Sequence, residues 1–362
     1  MKAKNKKKMN PTVRSHLVFC GVAILLTVAL LVWAKFSANT FFPYYTELSR
    51  KLMTYLAMLT SIFPFSVWEC GAVGLAIWFF VSLGLDIHRK KIGQWFSGVL
   101  LGIVLLVSVF TCFWGLNHLG PKITEKMEIS VENTTVSQLR EATEYYAERA
   151  QELAAQVPRD ANGRFDPGEL SSQSDLAADS FAELAAENPN FSGSTASAKP
   201  LLLSGLYAKI GIAGIFIAYT GESCVSTQTY ACSQPFTICH EMAHRACFAG
   251  ENEANFVAFL ACERSKSMIL QYSGYYQAFV YCFNSLYEAN RQQAEELWEQ
   301  LTPELKADCE FAHTHQEKVQ SEAASKIADA VNDTYLKAFS ETSGTQSYGE
   351  VTDLLVAWYR KQ

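Results

Sequence analysis

Charge is scarce in this 362-residue sequence: 18% of residues are Asp, Glu, Lys or Arg, against about 25% in an ordinary soluble domain. There is no basic excess, since 30 Lys and Arg face 36 Asp and Glu for a net charge of −6. That balance argues against nucleic acid as a partner, because a binder carries a basic face. Histidine is sparse, with 7 residues, and the ten cysteines include no CxxC pair, so a structural zinc site built from four cysteines is not indicated. No internal repeat is visible. The 49% hydrophobic content excludes a disordered or fibrous chain. Two further absences are local. The first fourteen residues contain no acid, and long apolar runs all but vanish after residue 118, where most of the acids lie. The pattern is that of a membrane anchor followed by a water-soluble domain.

Three apolar runs are long enough to span a bilayer, which takes ~20 helical residues: about 17–36, 66–85 and 92–116. A cleaved signal peptide would have a shorter core and a small-residue cleavage site, and VWAKFSANTFF matches that poorly. Glu69 is the charge within the second run and is expected to be solvated at the interface. Basic residues in short loops stay cytoplasmic. Lys2 to Arg14 and the Arg89-Lys90-Lys91 loop agree on this, being two spans apart; Arg50 and Lys51, in the intervening 37–51 loop, do not. The resulting expectation is an anchor over residues 1–117 and an extracytoplasmic domain over 118–362, in the cell membrane. Residues 52–65, ending at Pro64, read as an interfacial or re-entrant helix. Leu201–Tyr219 is apolar but contains Lys209, costly inside a bilayer, and reads as a buried strand.

Beyond residue 134 the pattern is mostly helical. An amphipathic helix follows a Thr134 or Thr135 cap, then a turn cluster, PRDANGRFDPGE, in which Gly163 comes too early for an EF-hand loop. A short helix spans about 175–187. Further helices are expected over about 235–248, 251–285, 289–300, 303–340 with breaks and 347–360, giving a mainly α, α+β domain.

The chemistry concentrates in His240-Glu241-Met242-Ala243-His244, an HExxH motif. On a helix, positions i and i+4 share a face, so both imidazoles can bind one Zn2+. Glu241, rotated off that line, can act on a water instead. A third ligand is needed. On an unbroken helix Glu251 would lie ~10 Å beyond His244, so the chain must turn, and Gly250 is expected to make that turn in the left-handed conformation. Glu251 and Asn255 then share a face of the next helix, with Asn255 steadying a ligand histidine. The order of candidates is Glu251, Glu253, Glu263. Glu241 would take a proton from water and pass it to the leaving amine.

HExxH followed by Glu251-Asn-Glu-Ala-Asn255 resembles the gluzincin zinc metallopeptidases, with Asn where several families have Asp. More closely, the chain is similar to a bacterial family of membrane-anchored HExxH proteins catalogued as a domain of unknown function. Thr220-Gly-Glu222, Pro235-Phe236, Tyr272-Ser-Gly-Tyr275, Asn332 to Lys337 and Ser347-Tyr-Gly349 extend the likeness. It implies a zincin-like domain, a peptide or protein substrate, a strand before the HExxH helix that pairs with it, and Tyr335 or Tyr348 as oxyanion stabiliser. The alternative is a non-catalytic zinc-binding sensor or scaffold. Cys224 and Cys232 bracket a loop that a disulfide could close; Cys239 and Cys247 read as buried thiols. His313 and His315 read as surface residues, and His16, His88 and His118 as interface residues.

Overall fold

The computed structural model describes residues 9–131, 134–193, 196–321 and 348–362, together with Lys326 and Ala330. The chain is mainly helical, with a small three-stranded sheet. Near the N-terminus, α1 (Pro11–Phe36), α3 (Val67–His88) and α4 (Ile92–Phe113) are each long and apolar enough to cross a membrane. Their side chains point largely outward, as with Leu25, Phe80 and Val107, an arrangement costly in water and favourable in lipid.

The region between the first two spans departs from expectation. The 37–51 segment is not a loop but is continuous with the helix expected from residue 52, the two forming one helix, α2 (Ala38–Thr60), that ends before Pro64. Phe41, Tyr45, Ser49, Met53 and Ala57 recur every fourth residue and are all buried, forming the apolar stripe of an amphipathic helix. Pro43 sits in its second turn, where the chain has only begun to form i→i−4 bonds.

The remaining helices surround one core. After the short helix α5 (Ile123–Met127), the amphipathic helix α6 (Val136–Ala154) starts at Thr135 with Gln138 in a capping box. It lies along α11 (Met268–Ala289), and Tyr146 is wholly buried with its hydroxyl on the Leu355 carbonyl of the C-terminal helix, Tyr348–Tyr359. The helix α7 (Leu170–Glu187) packs on α9 (Gln234–Arg245) and α10 (Glu251–Arg264). The expected helix over 251–285 is broken at Ser265–Ser267, where Ser265 leaves the helical region. Two further helices, Arg291–Gln300 and Pro303–Val319, follow.

Leu201–Tyr219 is only partly the strand expected. It holds a short helix, α8 (Ser204–Lys209), and strand β2 (Gly214–Ile217). With β1 (Lys199–Pro200) and β3 (Glu222–Val225), β2 forms a sheet of order β1-β3-β2, parallel between β1 and β3 and antiparallel between β3 and β2. Strand β2 is therefore an edge, lying beside α9.

Buried carboxylates fasten the sheet to the spans. Glu222 accepts from the backbone N–H groups of Val67 (2.8 Å) and Trp68 (2.9 Å), the first turn of α3. A carboxylate at a helix N-terminus satisfies orphan donors and faces the positive end of the dipole. Lys199 pairs with Glu222 at 2.9 Å in the same buried place and donates to the Thr60 carbonyl. Glu69 reciprocates: it is buried, not solvated at an interface, and accepts from Leu202 (2.7 Å) and Leu203 (2.9 Å) at the entry to α8. His118 is likewise buried, edge-on to Trp114, and His16 bonds Ser97 between α1 and α4. Cys224 and Cys232 are both buried and free, as are the other cysteines among the described residues apart from the more open Cys70, Cys112 and Cys309. A 224–232 disulfide is thus absent. Cys224 belongs to the sheet, whereas Cys232 belongs to the main core.

Because Glu222 neutralises a buried lysine, Glu222→Gln is expected to destabilise the full-length protein by about 3–5 kcal/mol. Glu47→Gln, which breaks an exposed pair with Lys51, is expected to leave stability nearly unchanged, because water screens such a pair. Thermal unfolding of both variants in detergent checks the contrast.

Candidate metal and catalytic site

The HExxH motif occupies the last two turns of α9. Pro235 stands in the first turn, where its missing N–H costs nothing. The helix ends at Arg245, and the turn that follows is made by Cys247, not Gly250. Cys247 has φ 70°, its N–H reaches the His244 carbonyl, and the Phe248 N–H reaches the Ala243 carbonyl. That is the double bond pattern of a Schellman cap, with a side chain where glycine is usual. A non-glycine residue held there costs of order 1–3 kcal/mol. Gly250, at φ −70° and ψ 136°, is instead the N-cap of α10.

The reversal is fixed from the membrane half of the chain. Arg50 of α2 donates to the Ala246 carbonyl (3.4 Å), the Pro189 carbonyl (3.2 Å) and Ser192 Oγ (3.0 Å). The Trp114 indole, one residue past span α4, donates to the His244 carbonyl at 3.1 Å. Ser49 of α2 lies 3.4 Å from Cys247 Sγ and donates to the Phe113 carbonyl. A guanidinium and an indole at the C-terminal carbonyls of α9 satisfy acceptors that the helix cannot.

With the chain turned, α10 packs on α9, and its first residue reaches both histidines. Glu251 Oε2 is 3.3 Å from His240 Nε2, and Oε1 is 3.8 Å from His244 Nε2. The two Nε2 atoms are 3.1 Å apart. One donor atom from each of the three residues falls within 4.8 Å of the others. The other glutamates are employed elsewhere. Glu253 accepts from the Ile123 N–H. Glu263 accepts from Trp358 Nε1 (3.0 Å), Gln362 Nε2 (3.0 Å) and Tyr275 (3.3 Å). Asn255 shares the Glu251 face, but its Oδ1 accepts from the Tyr281 hydroxyl at 3.1 Å and supports no histidine. His244 is supported by the Phe248 carbonyl, 2.8 Å from Nδ1.

These residues suit a zinc ion. A carbonyl only accepts, so Nδ1 of His244 carries a hydrogen and Nε2 is the atom left to bind. Burial opposes charge on His244, yet the hydrogen bond and charge of Glu251, with Glu241 beside them, raise its pKa to about 9. Burial likewise opposes charge on Glu251, and the two imidazoles outweigh it and hold the carboxyl well below its usual range. The site demands a positive charge between the Nε2 atoms, which a proton or a metal ion can supply.

Glu241 stands off the ligand line. It is buried, and burial raises its pKa against the attraction of His240 and His244. The register of β2 on β3, with Ser226 N–H on the Ala213 carbonyl, turns the backbone groups of Gly214 and Phe216 to the free edge. The Phe216 N–H bonds to Glu241. Gly214 passes so close that a Cβ there would stand 2.6 Å from Glu241 Oε1 and 2.9 Å from Thr237 Cγ2. Gly214, Trp114 and Arg50 escaped the sequence reading. An isolated glycine within a strand pattern was the one available signal, marking close approach of another group.

The site opens into a cavity of about 1340 Å³. Phe110, Trp114, Ile212 and Phe216 give it apolar lining, and Gln277, Asn284 and Glu288 polar lining. His315 also lines it and bonds the Gln228 carbonyl at 2.8 Å, while His313 is exposed. Tyr335 lies outside the described residues. Tyr348 opens the C-terminal helix, and its side chain is likewise outside them.

Residues 44–356 match a family model described as a protein of unknown function, DUF3810. The match runs through α2, both later spans and the HExxH helix. No curated protein and no solved structure matches.

Full-length protein is expected to bind one Zn2+, with His240→Ala and His244→Ala abolishing it, Glu251→Gln weakening it and Glu253→Gln leaving it. Since a proton on His244 competes with metal, zinc affinity is expected to rise as pH increases from 6 towards 9. Metal analysis of the variants and zinc titration across that pH range check both.

Proposed function

The chain belongs to the DUF3810 family, and we propose that it is a membrane-anchored zinc-dependent peptidase with a zincin-like domain. The observation that carries this reading is the convergence of His240, His244 and Glu251 within 4.8 Å, with the buried Glu241 beside them, at the wall of a cavity. A scaffold has need of the ligands but not of Glu241.

His240, His244 and Glu251 would hold the zinc, whose Lewis acidity polarises a scissile carbonyl and acidifies water. Glu241 acts as the base. Its raised pKa brings proton uptake nearer neutrality, and the Phe216 N–H and Gly214 fix its position. It takes a proton from the attacking water and returns it to the amine as the C–N bond breaks. The outward backbone groups of Gly214 and the Phe216 carbonyl can pair with an extended peptide, the usual manner of strand addition at a sheet edge. Gln277 and Asn284 add polar groups to the lining of the same cavity. The domain is extracytoplasmic in this reading, since the basic N-terminal segment and the 86–91 loop hold the opposite ends of the spans inside.

Glu241→Gln is expected to keep its zinc and lose ~10²–10⁴ in kcat/KM. Gly214→Ala is expected to keep zinc and lower kcat, because the new methyl displaces Glu241. Cleavage of a peptide library by zinc-loaded full-length protein, with metal content measured in parallel, checks both; full activity in Glu241→Gln would refute the mechanism. An alkaline-phosphatase fusion after Gln362 should be active and one within 86–91 silent. The reverse pattern would place the domain in the cytoplasm.

A further inference from the structure

The candidate site lies unusually close to the ends of the spans. Trp114 follows the last residue of α4 and contacts His244 by its indole N–H and by its ring, with centroids 6.1 Å apart. Tyr219, two residues past β2, donates to the Leu106 carbonyl of α4 at 3.0 Å. Leu106 is seven residues back from Phe113, ~10 Å down the helix axis. Trp33, Trp68, Trp114 and Tyr219 thus gather at the same ends of the spans, as aromatic residues do at a membrane–water boundary. Trp68 and Tyr219 stack at 5.5 Å. The edge strand that walls the cavity therefore ends at headgroup depth.

Beside it, the start of α8 presents apolar side chains that no described residue covers. Leu202 and Leu203, in the turn that leads into α8, and Leu206 within it are 54%, 48% and 58% exposed. Glu69, in the first turn of span α3, holds the N–H groups of Leu202 and Leu203, so this face continues the apolar surface of the spans. Ile62, Phe63 and Phe65, just before α3, are exposed next to the same helix end. On its inner side the same segment supplies Ala208, Ile210 and Ile212 to the cavity wall. One short segment thus carries lipid-compatible residues outward and cavity-lining residues inward.

We propose that Leu202, Leu203 and Leu206 are seated in the bilayer interface, that the cavity mouth opens at the lipid surface, and that the substrate is a polypeptide tethered to the same membrane. The apolar cavity wall at Phe110, Ile210 and Ile212 suits the residues of such a chain as it leaves the lipid, and the polar wall suits those already in water. Tethering raises the local concentration of substrate at the mouth without any new contact. The substrate half of this proposal rests on the peptidase reading; the lipid-seated mouth does not.

The test uses full-length protein in phosphatidylcholine vesicles. A photo-crosslinking amino acid placed at Leu203 or Leu206 is expected to form phospholipid adducts, whereas the same group at the exposed Glu304 is not. Adduct formation at Leu203 and Leu206 no greater than at Glu304 would overturn the lipid-seated mouth. In the second arm one peptide library is supplied free or carrying an N-terminal palmitoyl chain in the same vesicles. Cleavage of the tethered form should be at least tenfold faster at equal total peptide. In a Leu202→Ser, Leu203→Ser, Leu206→Ser variant that advantage should shrink, while zinc content and cleavage of free peptide stay unchanged. Equal rates on both forms would overturn the membrane-tethered substrate. Lipid adducts with no cleavage of either form by zinc-loaded protein would overturn the peptidase reading while supporting the lipid-seated mouth.

Discussion

The arrangement of this protein depends on one backbone reversal, the left-handed residue Cys247 between α9 and α10. Without it Glu251 would continue away from the histidines along the helix axis, and the three donors would not meet. The conformation is unfavourable for a residue with a side chain, so other contacts must hold it. They come from Arg50 on the Ala246 carbonyl, Trp114 on the His244 carbonyl and Ser49 on the Cys247 thiol. All three belong to the N-terminal third of the chain, on or beside the spans. The anchor therefore does more than tether: its ends hold the helix junction that assembles the candidate metal site. That the family match begins at residue 44 and includes both later spans accords with a unit in which the two halves are built together.

The buried carboxylates show how the chain places negative charge without leaving it unpaired. Glu222 and Glu69 meet backbone N–H groups at the starts of α3 and α8, with Lys199 adding a positive charge to the first. Those are complete solutions, and they lock sheet to span. Glu251 and Glu241 are different in kind. Glu251 is balanced by imidazoles that must take up a proton or a metal ion to match it, and Glu241 has one backbone donor and an environment that raises its pKa. Burial that is compensated at Glu222 and Glu69 is here left responsive to a cation and to a proton, the condition expected of reactive groups.

Much of this was written into the chain locally. Spans declare themselves by composition over a single helix length, and α1, α3 and α4 fall where the apolar runs lie. His240 and His244 are brought together by helical periodicity alone, which is also why Glu241 stands aside. The capping box at Thr135 and Gln138 is likewise a matter of four consecutive residues. Such features follow from side-chain type and from the fixed geometry of the helix, so they need no knowledge of what packs outside it.

Other features needed the tertiary structure. Glu251, Glu253 and Glu263 are chemically alike, and only the packing of α10 sends Glu253 to the Ile123 N–H, Glu263 to Trp358, and Glu251 to the histidines. Gly250 was the residue whose chemistry suited a left-handed turn, yet Cys247 makes it, because contacts from Arg50, Trp114 and Ser49, about 130 to 200 residues distant in sequence and each weak alone, together outweigh a local preference of a few kcal/mol. The same holds for α2, whose Arg50 reads locally as a stray charge in a loop: Phe41 and Tyr45 pack with Ala34 and Leu116, Met53 packs with Cys247, and Arg50 thereby reaches the Ala246 carbonyl; and for Glu69, which reads locally as solvated but meets Leu202 and Leu203. Sequence determined which chemical groups the protein has and the period at which they recur. Which of them meet was decided by non-local packing, since a ligand set drawn from two helices exists only once the chain between them has been turned.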